Sequence, residues 1–189
     1  MKITEIFKTP IAKFVLNEDT KALTKFSRKW AQKYPSVSLS NKGGYQSPDL
    51  DLNIPELRSL REQATRCFNE VKEKFFYKPS LGINNMWLNI NYPHSFNEIH
   101  NHPRACLASS FYISVPENSG SIVFCNNYET ENYMQDRLMT QFGTYNSSIW
   151  TVPVNDNDFY VFPAWLKHKV ETNKSKKDRI SISINAGEK

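Results

Sequence analysis

Cysteine is scarce in this chain, and the three present do not pair by pattern. Cys67, Cys106 and Cys125 are an odd number with no CxxC spacing among 189 residues, which excludes a disulfide framework and a zinc knuckle. Reduced, mostly buried thiols are expected. Long apolar runs are missing too. No stretch approaches the roughly 20 residues needed to cross a bilayer, and "MKITEIFKTPIAKF" alternates charged and apolar residues where a secretory signal would be continuously apolar. A cytoplasmic protein without membrane partners is the expectation. The formal charge of +5 is not concentrated either: lysines are scattered, and the one dense run, "KSKKDR" at 174–179, reads as a solvated hairpin tip. That weakens a nucleic-acid reading. There is no internal repeat and no low-complexity segment.

What is present changes character near residue 80. Before it, residues 17–35 place Leu23, Phe26, Trp30 and Ala31 at helical spacing, with Pro35 closing the segment. "SLSNKGGYQSPDLDL" reads as loop. Pro55 opens a second helix, striped by Leu57, Leu60, Ala64, Cys67, Phe68 and Val71. After residue 80 the period becomes two. "MWLNINY" sets Trp87, Asn89 and Asn91 against Leu88, Ile90 and Tyr92; "SSFYISV" sets Ser110, Tyr112 and Ser114 against Phe111, Ile113 and Val115. "GSIVF", "IWTVPV", "DFYVF" and "HKVET" are further short strands. "RISISIN" alternates without error, Arg179, Ser181, Ser183 and Asn185 against Ile180, Ile182 and Ile184. The expectation is a mainly β fold, a sandwich or barrel behind N-terminal supporting helices. It is read as a single domain over 1–189, with helical support at 1–80 and a β core at 84–187. The polar, Asn-rich 126–148 reads as a long loop of the kind that forms lids. Trp87, Trp150 and Trp165 read most simply as core residues.

Histidine is nearly as scarce as cysteine, and two of the four lie in "EIHNHPRAC". In an extended chain residues i and i+2 point the same way, so His100 and His102 can share one ion, and Pro103 biases His102 to that conformation. A His-Asn-His nuclease draws those residues from separate parts of a ββα unit, so the adjacent triplet is not that motif. His168, in "FPAWLKH", follows an apolar strand and a Pro turn, where a rolled sheet could bring it to the same ion. Glu98 lies on the same strand face if 98–102 is extended. Arg179 opens the last strand. If its face is interior, the guanidinium needs an anion, supplied by a protein carboxylate or by a carboxylate ligand gripped with Ser181 assisting. His94 reads as a loop residue at the mouth.

"HNHP", "FPAWLKH" and "RISISIN", in that order, resemble the iron(II)- and 2-oxoglutarate-dependent oxygenases, in particular a small bacterial and phage group with an HxHP motif. The resemblance covers about residues 84–187. It implies a double-stranded β-helix, or jelly roll. It implies iron held by His100 and His168, with His102 at the position where the family usually has Asp or Glu, and Glu98 as the fallback third ligand. It implies that Arg179 and Ser181 hold the far carboxylate of 2-oxoglutarate. Polar residues on neighbouring strands, namely Asn89, Asn91, Tyr112 and Asn185, are further candidates for contact with that co-substrate. The implied reaction is oxidative decarboxylation of 2-oxoglutarate coupled to hydroxylation of a peptide, metabolite or nucleobase.

The departure from the family pattern is His102. A three-nitrogen site is also what cupin-like metalloenzymes and thiol dioxygenases use, and these have no need of Arg179 and Ser181. A non-enzymatic β-sandwich that binds a partner is the reading from a different class. The family often dimerises, so a homodimer is allowed, but nothing in the sequence marks an interface.

Overall fold

In the computed structural model, residues 1–5, 8–37, 39–75, 77, 81–126 and 140–188 are described. The first helix, α1 (Thr20–Lys33), starts where Asp19 accepts the backbone N–H groups of Lys21 and Ala22 at 3.0 Å. It stops at Tyr34, which is extended because Pro35 follows. Pro55 opens a single 3-10 turn, Pro55–Leu57, that runs into α2 (Arg58–Lys74). Each residue of the predicted stripe, from Leu57 to Val71, is buried.

Eleven strands are formed among the described residues, all paired antiparallel: β1 (Ala12–Val15), β2 (Asn41–Lys42), β3 (Tyr45–Gln46), β4 (Leu81–Asn91), β5 (Phe96–His100), β6 (Leu107–Ser114), β7 (Ile122–Cys125), β8 (Ile149–Val152), β9 (Asp158–Pro163), β10 (His168–Val170) and β11 (Arg179–Glu188). They make two sheets, ordered β1-β9-β6-β11-β4-β3 and β2-β5-β10-β7-β8. This is the β core expected from the alternating half of the sequence, in the jelly-roll form that the family resemblance implies. Three strands lie in the part read as helix and loop. β1 is four residues long, and β2 and β3 are two each, so none carries enough alternation to register as a strand until its partner is known.

The two faces of the six-stranded sheet have different jobs. Outward, Ile180, Ile182 and Ile184 join Leu88, Ile90, Phe111 and Phe159 against the stripe of α2, and Phe68 meets Phe159 edge-on at 6.0 Å. Inward, the sheet faces the five-stranded one. One flank of that space is filled by Tyr112, Ile122, Phe124, Tyr160, Phe162 and Leu166; the rest is a cavity with His100 and His168 on one wall and Arg179 on the other. The lysine run at 174–177 joins β10 to β11, strands of different sheets, so it crosses between layers and is not a hairpin tip. Trp150 and Trp165 are 47% and 49% exposed, correcting their reading as core. Trp150 is on the edge strand β8, and Trp165 is in the turn between β9 and β10. Most of the 126–148 segment read as a lid, residues 127–139, lies outside the described residues. No helix among the described residues is long and apolar enough to cross a membrane.

Candidate metal centre and co-substrate cavity

Cross-strand register brings the histidines together. His168 on β10 lies directly opposite His100 on β5 and, on its other side, Phe124 on β7; Phe124 in turn lies opposite Trp150 on β8. Directly opposed residues share a face, so this row points inward from the five-stranded sheet. His102 is just past the end of β5. Its backbone N–H donates to the Ala164 carbonyl at 2.9 Å, which ties it to the turn leading into β10. The ligand atoms of His100, His102 and His168 lie within 4.8 Å of one another. The His100 and His102 rings stack at 5.4 Å, and His168 stands 4.3 Å from His100 and 5.0 Å from His102 between ring centres.

Every Nδ1 in this group is already engaged. His100 Nδ1 pairs with the Glu98 carbonyl at 2.7 Å, His168 Nδ1 with the Leu166 carbonyl at 3.0 Å, and His102 Nδ1 with Asn185 Oδ1 at 2.6 Å. Each acceptor places the proton on Nδ1 and leaves Nε2 bare, as a metal ligand must be. His102 Nε2 is buried without a hydrogen-bond partner among the described residues. Burial pushes all three rings toward the neutral form: His102 to about 4, His100 downward, and His168 well down with the two neighbouring rings adding to the effect. Three neutral, convergent, inward nitrogens suit a divalent transition metal.

Glu98 is not part of this group. Its carboxylate is 55% exposed and meets Lys42 Nζ at 3.2 Å. The reason is a bulge. His168 pairs with His100 but Val170 pairs with Asn97, so two steps along β10 match three along β5. An extra residue reverses the facing of what precedes it. Asn97 therefore turns inward with His100, and Glu98 turns out. The simple alternation that put Glu98, His100 and His102 on one face does not hold.

The same cavity is lined at its other end by Arg179, Asn89, Ser181 and Tyr112. Ser181 lies between Asn89 on β4 and Tyr112 on β6, and the three form one inward row. Arg179 is 1% exposed. Its Nη1 donates to the carbonyls of Ser119 and Gly120, both at 3.1 Å. Gly120 can present its carbonyl there because it adopts φ +86°, and a Cβ would stand 2.6 Å from the Glu171 carbonyl oxygen. The guanidinium has no ion pair among the described residues, and its Nε is buried without a partner. Burial lowers it to about 10, which still leaves it cationic at neutral pH. The Tyr112 hydroxyl, next to Ser110, meets no hydrogen-bond geometry among the described residues and is pushed up to about 12 by burial. The Asn89 amide donates to Ser183 Oγ at 3.3 Å, and its Oδ1 is unpartnered. No carboxylate lines the cavity among the described residues. A buried cation among unsatisfied polar groups is costly unless an anion joins it, and a carboxylate ligand fits that description.

Two predicted contacts lie elsewhere. Asn91, opposite Arg179, gives its amide to Asn97 Oδ1 at 2.9 Å and is not in the lining. Asn185 faces His102. His94 is exposed, with φ 71°, and does not reach the cavity. Trp87, read as core, is half-buried with its ring 5.3 Å from His102. Its place on the Asn89 face is the signal for this in the sequence. Asn97 and the carbonyls of Ser119 and Gly120 have no such signal, because a bulge and a backbone oxygen leave no mark in side-chain alternation.

A family model described as "Putative 2OG-Fe(II) oxygenase" matches residues 85–185. Among solved structures, a prolyl-4-hydroxylase from Pseudomonas putida is similar at 12% identity and a TM-score of 0.70, covering 96% of this chain and 94% of that one. HygX from Streptomyces hygroscopicus, with nickel and 2-oxoglutarate bound, is similar at 13% identity and a TM-score of 0.65, covering 95% and 83%. A viral collagen prolyl hydroxylase from Paramecium Bursaria Chlorella virus-1 is similar at 12% identity and a TM-score of 0.63, covering 93% and 94%. No curated protein matches the sequence. At these identities the structures establish a shared fold, and it is the match over residues 85–185, more than half of the sequence, that makes this chain a member of the 2OG-Fe(II) oxygenase family.

Proposed function

We propose that His100, His102 and His168 are the protein's complete ligand set for iron(II), with no carboxylate, and that Arg179, Ser181 and Tyr112 hold the far carboxylate of 2-oxoglutarate. One observation carries this: a single cavity, lined by no acid among the described residues, has three imidazole nitrogens at one end and at the other a buried guanidinium with no ion pair among those residues. A cupin-like metal site would use the first feature and leave the second without a purpose.

Bound together, iron(II), 2-oxoglutarate and dioxygen supply the oxidising power to insert one oxygen atom into a substrate C–H bond, with succinate and carbon dioxide as co-products. The chain's residues do the rest. Three Nδ1–H donors keep the ligand nitrogens aimed. Arg179, held by two backbone carbonyls, fixes the position of the co-substrate. Phe124 and Phe162 keep water from the His168 side, at 6.1 and 4.8 Å between ring centres. Trp150 continues the His100–His168–Phe124 row to the sheet edge, where its ring is exposed. The three free cysteines suit a reducing, cytoplasmic setting.

The test is an anaerobic titration of metal-free protein with iron(II), then 2-oxoglutarate, following the weak visible charge-transfer band of the chelate. A band that saturates near one equivalent and fades in Arg179→Ala is expected. Metal uptake with no band would remove 2-oxoglutarate from the reading, and no uptake would remove both.

A further inference from the structure

A histidine can ligate through Nε2 only if its proton sits on Nδ1, so whatever accepts from Nδ1 decides whether the ring is a ligand at all. For His100 and His168 that acceptor is a backbone carbonyl two residues earlier in the chain, Glu98 and Leu166. A carbonyl can only accept, so these two rings have their tautomer set by the path of the main chain, whatever the surrounding side chains are. His102 is different. Its acceptor is the side chain of Asn185, 83 positions away on β11. A carboxamide can present Oδ1 or its NH2 group. Only Oδ1 leaves Nε2 bare; a donating NH2 would move the proton to Nε2 and aim it at the other two ligands.

Asn185 is 6% exposed, on the inward face that also carries Arg179, Ser181 and Ser183. The strand that presents the guanidinium at one end of the cavity therefore reaches the metal end through this amide. We propose that Asn185 is a positioning residue: it sets the tautomer and the aim of His102 and so decides whether the third nitrogen is available to the metal. This rests on the three-histidine reading above. It gives Asn185 a role toward the metal ligand in place of contact with the co-substrate. His102 is then the ligand most open to change by a single side-chain substitution elsewhere in the fold.

The experiment is a long-range proton–nitrogen spectrum of the imidazoles in metal-free protein, with His102 assigned by loss of its signals in His102→Gln. It is paired with Ni(II) titration of wild type, Asn185→Leu, Asn185→Ala and Asn185→Asp. The wild type should show the His102 proton on Nδ1. Asn185→Leu should shift His102 toward the Nε2–H form while His100 and His168 keep theirs, and should weaken Ni(II) binding about 10–100-fold, the usual cost of losing such a partner. Asn185→Ala reports the same if the leucine variant does not fold. Asn185→Asp, which keeps an acceptor, should restore both the tautomer and the binding. A wild-type His102 protonated on Nε2, or an unchanged tautomer and affinity in the leucine and alanine variants, would overturn the proposal. Absence of Ni(II) binding in the wild type would overturn the metal reading instead, and the metal-free spectrum would still decide the role of Asn185.

Discussion

The two faces of β11 are made from the same strand by opposite rules. Outward, Ile180, Ile182, Ile184 and Ala186 are fully buried against the helix-covered layer. The side chains there belong to one apolar cluster, and packing explains the residues. Inward, Arg179, Ser181, Ser183 and Asn185 are also buried, yet they surround a cavity and leave the Arg179 Nε without a partner, like the Tyr112 hydroxyl and Asn89 Oδ1 across the sheet. A face that served stability would not be built so, because each buried polar group left unmatched costs about 1–3 kcal/mol. The comparison separates residues that packing explains from residues that it does not, at similar depth in the protein.

The largest effect should come from the outward face. Ile182→Ala should lower stability by about 2–5 kcal/mol in urea unfolding, with Ni(II) affinity of the folded protein unchanged. If metal affinity fell in step with stability, the two faces would not be separable. Next comes the inward face: Arg179→Met should raise the Kd for 2-oxoglutarate by roughly 100-fold, about 3 kcal/mol, in calorimetry with metal present. Its stability should hold or rise, since a buried charge with no ion pair among the described residues is removed.

A smaller effect concerns pH. His102 is depressed from 6.5 to about 4 by burial, so the unfolded chain takes up a proton that the folded one refuses. Its contribution to stability is whole above pH 6.5 and is lost as pH falls from there toward 4. At pH 5.5 the loss from this ring alone is about 1.4 kcal/mol relative to pH 7.5. His100 and His168, shifted the same way, add to it. Saturating Ni(II) should steepen the loss, because protons then also displace the metal. Equal stability of the metal-free protein at the two pH values would remove the case for neutral, desolvated rings. The smallest expected effect is Glu98→Ala. Its exposed pair with Lys42 is worth about 0–1 kcal/mol, and Ni(II) affinity should shift less than about twofold. A large loss of metal would restore Glu98 as a ligand.

Much of this architecture is legible in the amino-acid sequence. The alternation of "RISISIN" and "MWLNINY" shows which residues share a face, and those assignments hold through the whole of β11 and most of β4. The α2 stripe is equally plain, because helical period and burial coincide over its length. What alternation does not show is where it breaks. The β5 bulge adds one residue and inverts Glu98 and Asn97. Nothing in "FNEIH" marks it, since a bulge arises from pairing with β10 and not from the strand's own residues. Asn185 is visible as an inward polar residue, but its partner, 83 positions away, is not.

Sequence by itself determined the periods, the turns, and the order of chemistry-bearing residues along the chain: two histidines, a third, then an arginine with a serine two positions on. These are local properties, set by residue type and spacing. Tertiary structure decided which oxygens hold each imidazole, that no carboxylate among the described residues joins the three nitrogens, and that none of them pairs with Arg179. Those are matters of who faces whom across strands, and facing depends on register, which exists only once the strands have paired.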